Sequence, residues 1–276
     1  MDLKPLSPKQ FRRLSGFIES QIGIKMPESK RIMLESRLRR RVRDTGSSNF
    51  EEYIERAFED PGGELVHLID AVTTNKTDFF RESDHFAFLS QKALPELRPD
   101  WGMTRSCKVW SVACSTGEEV YTLAMVLEER RRHVPTFDYR ILGTDISARA
   151  VETARAAIYA QARIEPVSTE FSKRYFLRGT GDRAGTVRVK PGLRRKAQFH
   201  RLNLMDESYP IRDTFELIFC RNVIIYFDRK TQEALLRRLI SYLAPGGYLF
   251  LGHSESLSGF DLGVVSVAPT IYTVEA

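Results

Sequence analysis

Two adjacent acids behind a turn of small residues are the first chemistry this sequence offers. The run Val109-Trp110-Ser111-Val112-Ala113-Cys114-Ser115-Thr116-Gly117-Glu118-Glu119 reads as a buried strand breaking into a helix. Small residues at Ala113, Ser115, Thr116 and Gly117 let a ligand come close to the backbone, as in the nucleotide crevice of an α/β sheet. Glu118 and Glu119 then open the helix. Carboxylates there argue against a phosphate ligand, which wants a helix N-terminus free of them. A ligand with ribose hydroxyls, an amino group and a positive sulfonium suits them, and S-adenosylmethionine is such a ligand. One helix later the run Tyr139-Arg140-Ile141-Leu142-Gly143-Thr144-Asp145-Ile146-Ser147 ends in Asp145, where a doubly wound sheet places an acid against ribose hydroxyls. The competing reading of Asp145 is an N-cap for the helix beginning near Ala148, a job that Ser147 does equally well.

The elements that must position these acids alternate in type. Strands are expected at 108–113 and 140–145, with helices at 118–132 and 148–159, an order that a right-handed parallel sheet satisfies most simply. Short apolar runs near 174–181, 186–189 and 198–202, with glycines between the first two, interrupt the order and read as a small antiparallel insertion. Phe215 to Cys220 resumes the core and ends in Arg221-Asn222; a helix from 229 to 243 follows, broken at Ala244-Pro245-Gly246-Gly247. The runs 248–252 and 270–274 close the sheet as a hairpin, a pattern typical of class I methyltransferases. Ahead of all this, the first seventy or so residues read as helices, the first capped by Ser7, with Asp60-Pro61-Gly62-Gly63 a turn between two of them. In Lys30 to Arg43 a stripe of Leu34, Leu38 and Val42 is flanked by Arg37, Arg40 and Arg41 on one side and Arg39 and Arg43 on the other. That face is either simply solvated or a docking surface for carboxylates. Thr73 to Glu82 is polar and then aromatic, either a linker or a strip lining a site between two domains, and a helical segment is expected from Asp84 to Leu97.

The 276 residues, 42% apolar and 28% charged, suffice for a full globular core, and the net charge of +6 points to an acidic partner without saying which kind. No run reaches membrane-spanning length, and Met1-Asp2-Leu3-Lys4-Pro5 lacks a signal-peptide pattern, so a cytoplasmic location is expected. Cys107, Cys114 and Cys220 are odd in number and carry no zinc spacing, so no metal site is expected and the thiols read as reduced packing residues.

With TTNKTDFFRE at 73–82, ACSTGEE at 113–119, GTDIS at 143–147, FCRNVIIYF at 219–227 and LAPGGYLFLGHSESL at 243–257, the sequence resembles the CheR-type chemotaxis receptor methyltransferases over nearly its whole length. The resemblance implies a class I methyltransferase fold, an α/β Rossmann-like doubly wound sheet with a small all-helical N-terminal domain and a small antiparallel β insertion. It implies a basic receptor-docking domain at 1–72, a linker lining the active site at 73–90, and a cofactor-binding domain at 91–276 with its insertion at about 175–200. The implied activity is methylation of glutamate side chains on the cytoplasmic helices of chemoreceptors, with S-adenosylmethionine as donor and S-adenosylhomocysteine as product. Cofactor contacts then fall on Asn75, Thr77, Arg81, Ala113, Glu119, Asp145, Asn203, Leu204, Arg221 and Asn222, and receptor docking on Arg37, Arg40 and Arg41. In some members the insertion grips a peptide at the receptor's C-terminal tail, which makes Tyr175 to Phe199 a candidate for that contact. Lys76 is expected to turn from the cationic cofactor to solvent.

Methyl transfer from a sulfonium to an ionised carboxylate needs alignment and no general base. Arg81 could orient the acceptor through a bidentate pair, its alternative being a domain-bridging salt bridge; Tyr226 could place a hydroxyl near the methyl group, its alternative being a packing aromatic. His253 reads as a turn residue rather than a base. A nucleic-acid methyltransferase is the rival suggested by the basic charge. It would need an Asp/Asn-Pro-Pro-aromatic motif where Arg221-Asn222-Val223-Ile224 stands, or a nucleophilic cysteine following proline, whereas Cys220 follows Phe219. A non-catalytic receptor adaptor would have no use for Arg81, Glu119, Asp145 and Asn222 together. Nothing in the residues demands more than a monomer, and no nucleic-acid partner is expected.

Overall fold

The computed structural model describes residues 3–96 and 106–274. Met1, Asp2 and Leu97, on which two sequence expectations touch, lie outside the described residues. Four helices come first: α1 (Pro8–Ile22), α2 (Arg31–Asp44), α3 (Phe50–Glu59) and α4 (Glu64–Val72). Ser7 accepts the Gln10 amide and the Gln10 side chain accepts the Ser7 amide, a reciprocal capping box that fixes where α1 begins. The stripe Leu34, Leu38 and Val42 is buried as its spacing predicts, packed with Phe11, Leu14, Tyr53, Ile54 and Leu68 in a core of the helical domain's own.

After the strip 73–82 the expected helix is present in pieces: α5 (Ser83–Phe88), a wider π turn at Leu89–Ala93, and α6 (Leu94–Glu96). The main domain then runs β1 (Cys107–Val112), α7 (Glu118–His133), β2 (Tyr139–Asp145), α8 (Ala148–Ala156), β3 (Ile158–Ala160), α9 (Thr169–Tyr175), β4 (Phe176–Arg178), β5 (Thr186–Val189), α10 (Pro191–Arg194), β6 (Ala197–Arg201), β7 (Phe215–Cys220), α11 (Arg229–Ser241), β8 (Leu243–Leu251), β9 (Val264–Ala268) and β10 (Ile271–Val274). Seven strands form one sheet in the order β6-β2-β1-β7-β8-β10-β9. The first five are parallel, and β10 runs antiparallel to both β8 and β9. All six residues of β7 are buried, as a strand covered on both faces must be. The strand order reverses between β1 and β7, so their C-terminal ends open a crevice, the usual place for a ligand in such a sheet.

Four expectations are corrected. The helix beginning at Ala148 stops at Ala156, because Ala157 turns left-handed (φ 54°) and Ile158–Ala160 pairs with β5. The strand read at 198–202 is β6, an edge of the main sheet parallel to β2, and not part of the insertion. The antiparallel sheet is therefore β3-β5-β4, spanning 158–189 rather than 175–200. Gly143 accounts for the seating of β6: a Cβ there would lie 2.8 Å from the Phe199 ring, so only glycine lets that ring pack across the sheet. At the C-terminus β8 and β10 are antiparallel neighbours as expected, but β9 precedes β10 and makes the tight hairpin with it. The run Val264 to Ala268 is apolar enough to have been read as a strand, and the sequence reading passed over it.

Leu38 is fully buried in the helical core. Leu38→Ala should cost about 2–5 kcal/mol, read as a lower urea midpoint for loss of helical signal. An unchanged midpoint would mean that the helical domain adds nothing to the stability of the whole chain.

Candidate active site

A cavity of about 400 Å³ lies at the C-terminal ends of β1, β2 and β7, roofed by the helical domain and walled by the strip 73–82. The sheet contributes Ala113, Glu119, Asp145, Arg221 and Asn222; the strip contributes Asn75, Thr77 and Arg81; Tyr226 closes one side. Nine residues picked from sequence thus share one chamber, in the size range of small-molecule sites. Asn203 and Leu204 line a small apolar side chamber of about 50 Å³ that shares Ala113, Asp145 and Tyr226 with the main cavity. The Asn203 amide donates to the Gln21 carbonyl (2.8 Å), so this side chain also ties the helical domain to the sheet.

Asp145 ends β2 with its carboxylate accepting the amides of Ser115 (2.8 Å) and Ser147 (2.9 Å). Ser147, not Asp145, caps α8 by accepting the Ala150 amide at 3.1 Å. Burial pushes the Asp145 carboxyl above its ordinary range, against the pull of those amides. Glu119 accepts the Ser111 hydroxyl (2.6 Å) and pairs with Arg221 (3.3 Å); burial raises its pKa too, opposed by Arg221. The two leading acids part company. Glu118 turns to Arg163 of the insertion segment at 2.7 Å, and only Glu119 lines the cavity.

Arg221 is buried, with its guanidinium over the Phe86 ring (5.4 Å) and an ion pair to Glu82 at 2.9 Å. It also donates to the Arg81 carbonyl, while its Nε has no partner among the described residues. Glu82, which the sequence reading passed over, accepts the Asn222 side-chain amide (3.0 Å) and the His253 backbone amide (3.2 Å) as well. Against the upward push of burial, Asn222 and Arg221 hold its carboxyl below the usual range. Glu255, also missed, is buried and accepts the backbone amides of Gly252 (2.7 Å), Asn222 (2.8 Å), Val223 (2.8 Å) and Ile224 (2.9 Å). Only the closeness of both acids to motif residues, in FFRE and GHSE, could have flagged them.

Left-handed backbone clusters here. Ala113 (φ 54°), Ser115 (φ 52°) and Asn222 (φ 57°) line the cavity and Glu82 (φ 56°) touches it through Arg221, a conformation that costs a non-glycine residue roughly 1–3 kcal/mol. Gly117 (φ 94°) completes the turn, and a Cβ there would meet that of Ala154 at 2.8 Å.

Arg81 donates to the Lys76 carbonyl (3.1 Å) and stands 3.9 Å from its neighbour Glu82, so it makes no domain-bridging salt bridge. Tyr226 lines both chambers, and its hydroxyl has no hydrogen-bond partner among the described residues. Lys76 is exposed but also lines the cavity, so it does not simply turn away from it, and His253 sits in a turn with Nε2 3.0 Å from Asp84. All three cysteines are buried and unpaired, with thiols pushed up by burial. The three docking arginines do not form one free face. Arg37 donates to the Val72 and Thr73 carbonyls (2.9 and 3.2 Å) at the end of α4, Arg41 is clasped by Glu64 (2.9 and 2.6 Å), and Arg40 alone is 82% exposed.

The residues present fit S-adenosylmethionine: left-handed backbone at Ala113 and Ser115 for close approach, a strand-end carboxylate at Asp145, and a second buried carboxylate at Glu119. A parallel sheet with an antiparallel terminal strand and this crevice defines a class I S-adenosylmethionine-dependent methyltransferase. Comparison with known proteins narrows the class. Residues 75–270 match the CheR methyltransferase S-adenosylmethionine-binding domain, and residues 9–73 match the CheR methyltransferase all-alpha domain. The chain is 40% identical to the chemotaxis protein methyltransferase of Borreliella burgdorferi, covering 92% of this chain and 90% of that one. It is 37% identical to the Escherichia coli chemotaxis protein methyltransferase, over 98% and 92% of the two chains. The chain belongs to the CheR methyltransferase family.

Glu255→Gln replaces a carboxylate serving four backbone donors with an amide that presents a donor of its own. Stability should fall by about 2–3 kcal/mol and S-adenosylhomocysteine affinity about tenfold, read by urea unfolding and calorimetry. Unchanged affinity would separate this acid from the binding turn. For pH the sign follows from the raised carboxyls of Asp145 and Glu119. Both take up protons while exposed carboxylates stay ionised, and the ionised form attracts a cation. Affinity for S-adenosylmethionine should therefore weaken as pH is lowered from neutral, above the range where exposed carboxylates protonate, and more than affinity for the sulfonium-free product. Equal weakening of both ligands would refute the electrostatic reading.

Proposed function

We propose that this S-adenosylmethionine-dependent chemotaxis methyltransferase esterifies glutamate side chains on chemoreceptor cytoplasmic helices, as a cytoplasmic monomer. The observation that carries the reading is the contrast inside the cavity. Glu82, Glu119, Asp145 and Arg221 are committed to one another or to backbone, while the guanidinium of Arg81 and the hydroxyl of Tyr226 keep hydrogen-bonding capacity to spare.

When bound, S-adenosylmethionine supplies an electrophilic methyl group and is left as S-adenosylhomocysteine. The acceptor carboxylate is already ionised at neutral pH, so the protein supplies no base. Arg81 presents the planar fork that matches a carboxylate and holds it against rotation. Tyr226, also lining the cavity, offers a hydroxyl, and the helical roof excludes water. Asp145 and Glu119 recognise the polar and cationic parts of the cofactor, with Asn75, Thr77 and Asn222 beside them. Of the three arginines singled out on the basic helix, Arg40 is the most exposed, paired only with Asp44 on its own helix at 3.6 Å, and so is the one best placed to meet an acidic receptor. The insertion presents β4 as an edge strand with Leu177 half exposed, a surface to which a receptor tail peptide could add as a further strand.

The test transfers tritiated methyl to a receptor cytoplasmic fragment and then releases volatile methanol with mild alkali. Base-labile label, reduced roughly 100-fold in Arg81→Ala while S-adenosylhomocysteine still binds, is the expected result. Alkali-stable label would rule out a carboxyl ester.

A further inference from the structure

A second concave site lies away from the cofactor cavity, where α7, α8, α10 and β6 meet in an open cleft of about 690 Å³. Arg155, Arg194, Arg195 and His200 line it, and among the described residues no acidic residue does. Among the described residues Arg155, Arg194 and Arg195 form no ion pair, so their charges are not consumed as those of Arg41, Arg163, Arg174 and Arg221 are, each of which holds a carboxylate. Arg155 is anchored by donation to the Phe199 carbonyl, which presets its guanidinium on the rim. The Nε of Arg194 is buried and has no hydrogen-bond partner among the described residues, a donor that a native structure ordinarily satisfies.

Guanidinium forks gathered in a concavity without counter-charge match an anion carrying more than one negative charge. The cleft has the volume of a nucleotide-sized ligand. The exposed large apolar residues, Ile32, Leu177, Ile225 and Val265, line no part of it, which disfavours a lipid surface. We infer that this cleft binds the phosphate groups of a small soluble ligand, at a site distinct from the methyl-transfer cavity. The two sites back onto one helix, since Glu119 lines the cavity and Tyr121 lines the cleft, its hydroxyl donating to the Ala154 carbonyl at 2.9 Å.

The test is calorimetric titration of the full chain with inorganic pyrophosphate, with S-adenosylhomocysteine titrated in parallel to report an intact fold. Saturable binding is expected in the wild type, weakened about tenfold or more in Arg155→Ala/Arg194→Ala. Arg194→Lys should stay weak, because an ammonium keeps the charge and lacks the fork. S-adenosylhomocysteine affinity should be unchanged in every variant. Absent pyrophosphate binding, or binding equal in wild type and double variant, would overturn the site. Arginine-dependent binding to phosphatidylglycerol vesicles or to polyglutamate, with none to pyrophosphate, would overturn the small soluble ligand in favour of a membrane or protein surface.

Discussion

The buried guanidinium of Arg221 is the interaction on which the site depends. It sits at the end of β7, yet it bonds to Glu82 and the Arg81 carbonyl in the strip and to Glu119 on α7. Three pieces of chain, remote in sequence, are held in register by one cation. A buried charge of this kind is tolerated only when its partners are in place, and removing one partner typically costs about 3–5 kcal/mol. The strip therefore has little freedom to drift from the sheet, and Arg81, next to Glu82, is carried into the cavity by that constraint.

Strain is concentrated at the same place. Four non-glycine residues in left-handed backbone stand at or one contact from the cavity, and each is tied down by an acid or by a neighbouring turn. Asp145 holds Ser115, and Glu255 holds Asn222. Carboxylates here serve as anchors for exposed backbone donors, so that the small-residue loop keeps its shape before any ligand arrives. That pre-organisation suits a reaction limited by alignment rather than by proton transfer.

Charge is spent unevenly over the rest of the surface. Arg37 and Arg41, which by sequence belong to a single basic face, complete the C-terminus of α4 and neutralise Glu64. Counting basic residues on a helical wheel overstates a docking surface, because the wheel does not show which of them the neighbouring helices consume.

Much was legible in the chain alone. The Leu34, Leu38, Val42 stripe, the strand–turn–helix at 109–119 and the acid at the end of 139–145 are local patterns, governed by periodicity and turn chemistry, and the structure contains each of them. So do the ten cofactor residues and Tyr226 line one cavity or its side chamber, though their contacts with a ligand rest on the resemblance and not on spacing. What needed tertiary structure was everything set by partners far along the sequence. Phe199 goes to the main sheet because Gly143 leaves room for it, Glu118 leaves the cavity because Arg163 is there to meet it, and Glu82 and Glu255 become anchors because β7 ends beside them. Local pattern determines which element a residue joins; the three-dimensional supply of charges and unpaired amides decides what its side chain is used for.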